Sequence, residues 1–170
     1  DSIDVAKKKF KKHNLINYEF YKMDAHSLNF EDNSFDYIIC YKSLLYLNLE
    51  KSFKELNRVL KNDGKIIILE NIGENFIFNY YRFFKNILKS KKYASELNKI
   101  KLNDLNISSK YFISENTVFF DFFTVFGKFI SDKFKIKISH KFLKHLDFLL
   151  LNRLGLNFLS FTLVKVLKKN

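Results

Sequence analysis

Two short apolar runs dominate the first half of the chain, Asp36 to Tyr41 (DYIICY) and Lys65 to Glu70 (KIIILE). Continuous runs of this length suit strands buried on both faces of a parallel sheet. Between them, Leu49, Phe53, Leu56 and Leu60 recur at helical spacing, and Asn62-Asp63-Gly64 is expected to end that helix. Upstream, Ile3, Val5, Ala6 and Phe10 share one helical face with lysines opposite, and Asp1 or Ser2 can cap that helix. Asn14 to Asn17 read as a turn. The aromatic segment Tyr18 to Met23 reads as a strand, and the polar stretch Asp24 to Ser34 as a loop. Helix, strand, loop, strand, helix, strand is the order of an α/β domain with a parallel sheet.

Beyond Glu70 the pattern becomes more aromatic. Phe76 to Leu88 carry phenylalanine, tyrosine, isoleucine and leucine at helical spacing. Ser90 to Asn106 are polar and are expected to hold a loop and a short helix. Thr117 to Phe126 predict a strand, Phe142 to Leu151 a helix with Asp147 inside it, and Phe158 to Leu167 a final strand. No internal repeat and no second domain is visible.

Composition adds limits. Apolar residues make up 47% of the 170, which suits a globular domain and not a disordered one. The formal charge of +12 favours acidic partners. Its lysines are scattered in short runs, however, and no stripe specific for nucleic acid stands out. Cys40 is the only cysteine, so an intramolecular disulfide and a cysteine-rich zinc site are excluded. Its apolar surroundings make it a buried small hydrophobe. His13, His140 and His145 show no ligand spacing, no metal site is expected, and His26 reads as a solvent-facing loop residue. The apolar C-terminal stretch is broken by Lys144, Asp147, Arg153 and Asn157, so no membrane span is predicted. No signal peptide opens the chain, and a cytoplasmic protein is expected, with peripheral contact to a membrane as a second expectation.

The segment Lys22 to Asp36 (KMDAHSLNFEDNSFD) carries the clearest chemistry. An acid at the C-terminal end of a strand lies where open α/β sheets bind ligands. Asp24, Ala25, Leu28, Phe30, Asp32, Ser34, Phe35 and Asp36 match the D-A-x-x-L-P-F-x-D-x-S-F-D pattern of the methyltransferase type 11 group, with Asn29 in place of the proline. Glu55 to Gly64 (ELNRVLKNDG) resemble that group's E-x-x-R-V-L-K-P-G-G. Glu70 to Asn75 and Asn79 to Arg82 are more loosely similar to a further segment of some members.

The resemblance implies a Rossmann-like class I methyltransferase sheet of order 3-2-1-4-5-7-6 with the last strand antiparallel. Strands 3 to 7 are expected here and strands 1 and 2 are not. The chain would form a single partial domain, with residues 1–70 as the core and adenine side, and 71–170 as substrate-cover helices and terminal strands. S-adenosyl-L-methionine is the implied cofactor. Asp24 would accept the adenine amino group, the Ala25 N–H would donate to the adenine ring, and Tyr41 would lie beside the methionine part. Tyr46 falls where many relatives carry a histidine and would face the substrate. Asp24 as an ordinary loop acid, and Tyr41 and Tyr46 as packing aromatics, remain open. The glycine-rich loop and the ribose-binding acid of the family find no match, because counting back from Ala6 puts that acid upstream of residue 1.

The implied reaction is methyl transfer to a small or lipid-like acceptor, with no specific nucleic acid. Nothing in the sequence names a catalytic base or an oligomeric state. A non-catalytic methyltransferase-like remnant and a basic membrane- or RNA-associating module are the alternatives. Without strands 1 and 2, Tyr18 to Met23 would lack a neighbour and the Asp36 to Tyr41 edge would be exposed. Poor folding or weak cofactor binding is the expectation for these residues alone.

Overall fold

Asn48 starts the helix that anchors the fold. Its side chain accepts from the Lys51 N–H at 3.1 Å, and Glu50 in the first turn and Arg58 in the last complement the helix dipole. The computed structural model describes residues 2–73, 75 and 100–170. Helix α1 spans Ser2–Lys12, strand β1 Phe35–Tyr41, helix α2 Leu49–Val59 and strand β2 Leu60–Asn71. Strand β3 follows at Phe112–Phe120, helix α3 at Phe122–Phe134, helix α4 at His140–Asp147 and strand β4 at Thr162–Lys169. The predicted helix over Phe76 to Leu88 lies outside the described residues.

The four strands form one sheet of order β1-β2-β4-β3. β1 and β2 are parallel, whereas β4 runs antiparallel to both β2 and β3. This is the expected α/β sheet with an antiparallel last strand. β2 is central, and Leu60, Ile66, Ile68 and Glu70 alternate into the interior. Phe53, Leu56 and Val59 of α2, at helical spacing, supply the facing layer. A 3-10 helix at Leu102–Lys110 adds Leu105 to the same core, beside Phe112 of β3 and Leu163 and Leu167 of β4. Cys40 is buried here as its surroundings predicted. Burial, with the charge of Glu70 adding to it, pushes the thiol up to about 11 and leaves it unreactive at neutral pH. Among the described residues no helix is long and apolar enough to cross a membrane.

Several boundaries depart from the sequence expectation. Tyr18 to Met23 form no strand. A strand needs a hydrogen-bonded neighbour, and among the described residues this segment has none. Tyr18 and Phe20 cluster on α1 instead, with the Phe10 ring 4.7 Å from Tyr18 and 5.1 Å from Phe20, whereas Tyr21 packs on Phe30. β1 is an edge strand, and Tyr37, Ile39 and Tyr41 are exposed along one face of it.

Helix α2 ends at Val59, and Leu60 enters β2 directly with extended backbone. Asn62-Asp63-Gly64 therefore do not terminate the helix. The register jumps from Phe35↔Leu60 to Tyr37↔Lys65, so residues 61–64 bulge from the ladder. Gly64 is needed there for space, because a Cβ would sit 2.7 Å from the Leu60 side chain and 2.9 Å from the Lys61 carbonyl.

The strand expected to reach Phe126 stops at Phe120, where Asp121 takes a left-handed conformation (φ 73°) and turns the chain into α3. α4 continues past Asp147 as a π-helical turn, Phe148–Arg153. The final strand begins at Thr162, four residues later than expected, after a 3-10 turn at Asn157–Leu159.

Helices α3 and α4 meet at Gly127. A Cβ there would lie 2.4 Å from Leu143 Cδ1 and 3.2 Å from Leu143 Cγ, and Leu143 is itself buried. Alanine normally gains about 1 kcal/mol over glycine inside a helix. Overpacking a filled contact costs about 1–3 kcal/mol. Gly127→Ala is therefore expected to be net destabilising, read as a lower urea midpoint. A raised midpoint would show that Leu143 repacks freely.

Candidate functional site

The C-terminal ends of β1 and β2 carry the first half of the site. The Lys42 N–H donates to the Leu69 carbonyl at 2.8 Å, extending the β1–β2 pairing by one residue. Lys42 then takes a left-handed conformation (φ 50°), which reverses the chain. Beyond it the Ser43 and Leu44 N–H groups converge on one oxygen, Glu70 Oε1, at 2.6 and 2.7 Å. Successive N–H groups after such a reversal form an anion-binding concavity. Glu70 fills it from the next strand and so begins the 3-10 turn Leu44–Tyr46, for which the Ser43 side chain makes no capping bond.

Glu70 is fully buried, and its second oxygen has no hydrogen-bond partner among the described residues. Burial pushes its carboxyl above the usual carboxylate range, against the opposing pull of the two N–H bonds and of Lys42. Tyr41 and Tyr46 flank this turn. Both are exposed, at 63% and 76%, so neither packs into the core. The Lys42 ammonium sits 5.5 Å from the Tyr41 ring centroid.

The second half is the loop from Asp24. Asp24 Oδ1 accepts from the His26 backbone N–H at 2.9 Å and pairs with His26 Nδ1 at 2.7 Å. These bonds, the backbone one foremost, hold its carboxyl below the usual carboxylate range. The Ser27 N–H closes the turn on the Asp24 carbonyl at 3.1 Å. Asp24 Oδ2 and the Ala25 N–H have no partner among the described residues. The Asp24 side chain is 67% exposed, so an outward-facing acceptor and a neighbouring donor stand ready for a ligand.

His26 differs from its expected place. It is half-buried, and its Nε2 accepts from the Asn48 N–H at 2.9 Å. That bond brings the Asp24 loop to the connection containing Tyr41, Ser43 and Tyr46.

The two sequence motifs also bind each other. Glu55 Oε1 accepts from the Leu28 N–H at 2.7 Å. Arg58 donates to the Leu28 carbonyl at 2.9 Å, the Phe30 carbonyl at 2.8 Å and Asp32 Oδ1 at 2.7 Å. Arg58 is itself held by Glu55, through Nε at 3.1 Å and Nη2 at 2.7 Å. An Arg three residues after a Glu lies on the same helical face. Its planar fork reaches two carbonyls and two carboxylates together through three separate nitrogens, where an ammonium offers a single nitrogen. Glu55 and Arg58 thus hold the loop downstream of Asp24, and their i, i+3 spacing was the signal for it. Glu70 was foreshadowed as the acid that ends an apolar run and opens the loosely similar segment Glu70 to Asn75, with no sign of its bonds to Ser43 and Leu44.

Comparison with known proteins bears on the same residues. The methyltransferase domain family of type 11 matches residues 1–68. Residues 1–68 are a class I methyltransferase segment of the type 11 group. The methyltransferase segment contains Asp24, Ala25, Tyr41, Tyr46, Glu55 and Arg58, whereas Glu70 lies just beyond it.

The ubiquinone/menaquinone biosynthesis C-methyltransferase UbiE of Rickettsia prowazekii is 37% identical over 95 residues, 53% of this chain and 38% of that protein. An uncharacterized protein of Methanocaldococcus jannaschii is 34% identical over 70 residues, 39% of this chain and 31% of that protein. The chain spans about a third of the length of the curated relatives it matches. A solved putative methyltransferase from Bacillus halodurans superimposes with a TM-score of 0.57 at 16% identity, covering 96% of this chain and 77% of that one. This likeness carries the methyltransferase fold beyond residue 68, into α3, α4 and β4.

Proposed function

We propose that the protein containing this chain transfers a methyl group from S-adenosylmethionine to a small or lipid-like acceptor. The observation that carries this reading is the Asp24 loop. One carboxylate oxygen is anchored, the other faces outward, and a free N–H follows at Ala25. That donor and acceptor pair fits the edge of an adenine ring. Asp24 accepts from the exocyclic amino group, and Ala25 donates to the adjacent ring nitrogen.

S-adenosylmethionine would supply an electrophilic sulfonium methyl group, which the acceptor attacks in line while the methyl–sulfur bond breaks and S-adenosylhomocysteine leaves. The chain's own residues orient the partners. Glu55 and Arg58 keep the adenine loop in register. Glu70 sets the turn after Tyr41, beside which the methionine part lies. Tyr41 and Tyr46, both exposed, provide aromatic surface for an apolar acceptor. The name of the Rickettsia relative, a C-methyltransferase of quinone biosynthesis, supports an acceptor with a hydrophobic body. A base is needed only where the attacking atom carries a proton to be lost.

Calorimetric titration of the full-length product of the gene with S-adenosylhomocysteine tests this. Asp24→Ala is expected to weaken binding roughly 10- to 100-fold, the loss of one hydrogen bond to a charged group. Equal binding by the wild type and Asp24→Ala would remove Asp24 from the site. No binding by the wild type would end the reading.

A further inference from the structure

The N-terminus of α2 lacks half of its cap. In a capping box the residue three positions after the cap accepts the cap residue's own N–H, which needs Glu or Gln. Here that position is Lys51, which has no acceptor. The Asn48 N–H is taken instead by His26 Nε2, from 22 residues upstream. A nitrogen that accepts carries no proton, so the ring proton resides on Nδ1. That proton points to Asp24 Oδ1 at 2.7 Å, the oxygen that also receives the His26 backbone N–H. With Oδ1 doubly engaged, Asp24 presents Oδ2 outward. The helix cap sets the tautomer, and the tautomer sets the carboxylate.

We infer that His26 is the positioning residue for the adenine-reading carboxylate, coupling the start of α2 to base recognition. This rests on the methyltransferase reading. His26 does not touch the ligand, and it acts through Asp24. Asn and Gln separate its two contacts. The Asn Nδ2 occupies the place of Nδ1 and can donate to Asp24, whereas the Gln Oε1 occupies the place of Nε2 and can accept from Asn48.

The test compares S-adenosylhomocysteine with S-inosylhomocysteine, which lacks the 6-amino donor, on the full-length protein. The wild type is expected to prefer the adenosyl form by roughly tenfold or more, because a site built to pair with a donor rejects the analogue lacking it. His26→Gln should stay folded yet lose most of that preference, whereas His26→Asn should keep it and lose thermal stability. A purely structural histidine would weaken both ligands together in every variant, and that result overturns the inference. So does a His26→Gln protein that keeps its preference. A wild type that binds neither ligand overturns the functional reading and this inference with it. A wild type that binds both equally removes Asp24 as the base reader while leaving cofactor binding intact.

Discussion

Glu70→Ala is expected to cost about 2–5 kcal/mol of folding stability, because it leaves the buried Leu44 N–H and the half-buried Ser43 N–H without an acceptor, at about 1–3 kcal/mol for the first and less for the second. Among the described residues, the Ser43 and Leu44 N–H groups that follow the left-handed reversal at Lys42 make no other hydrogen bond. Glu70→Gln keeps an oxygen for both and should fold nearly as well as the wild type.

The pair also predicts a pH dependence. Burial raises the folded-state value of Glu70 above the ordinary 4.5. An acid shifted upward binds its proton more tightly when folded. Its contribution is therefore fully present below pH 4.5 and is lost as pH rises through the raised value. Glu70→Gln has no such proton to lose. Urea unfolding should show the stability of the glutamine variant relative to the wild type growing from pH 5 to pH 8. A constant difference would mean that the carboxyl is not desolvated as the fold indicates. Glu70→Ala that unfolds at the wild-type midpoint would mean that the turn finds another acceptor.

Asp147→Ala is the second large effect, about 2–4 kcal/mol. Asp147 is 1% exposed and accepts from the Phe123 N–H at 2.7 Å, the Thr124 N–H at 3.1 Å and the Thr124 hydroxyl at 2.6 Å. It therefore caps α3 from the far end of α4. Asp121, at the cap position itself, makes no side-chain bond there. The helical run continues beyond Asp147 to Arg153, so the carboxylate does not sit at the negative end of its own helix. The positive N-terminal end of α3 favours the charge that caps it. Asp147→Asn should lose about half as much, since one oxygen remains. Circular dichroism melts decide between the outcomes. If alanine and asparagine were equal and small in effect, water would be replacing the cap.

The sequence pattern alone was enough for β1, α2 and β2. Continuous apolar runs and the i, i+4, i+7 spacing of Leu49, Phe53 and Leu56 arise from local periodicity, which survives any tertiary arrangement. The family motifs were legible for a related reason. Asp24, Glu55 and Arg58 sit in short contiguous segments, and their spacing is visible without coordinates. Where elements stop was not legible. Tyr18 to Met23 have strand composition but no ladder, because a strand is made by its neighbour. Thr117 to Phe126 have one apolar texture, yet Asp121 and the distant Asp147 divide them into strand and helix.

The same division holds for the site. Residue types and order determined an α/β methyltransferase segment with an acid where the family resemblance places adenine. Only the tertiary structure decided that Arg58 grips the loop beyond that acid, that Glu70 seats the turn after Tyr41, and that His26 faces α2 and not solvent. Each of these is a hydrogen bond between groups 22 to 30 residues apart. A side chain's partner at that separation is chosen by packing, which no local spacing encodes.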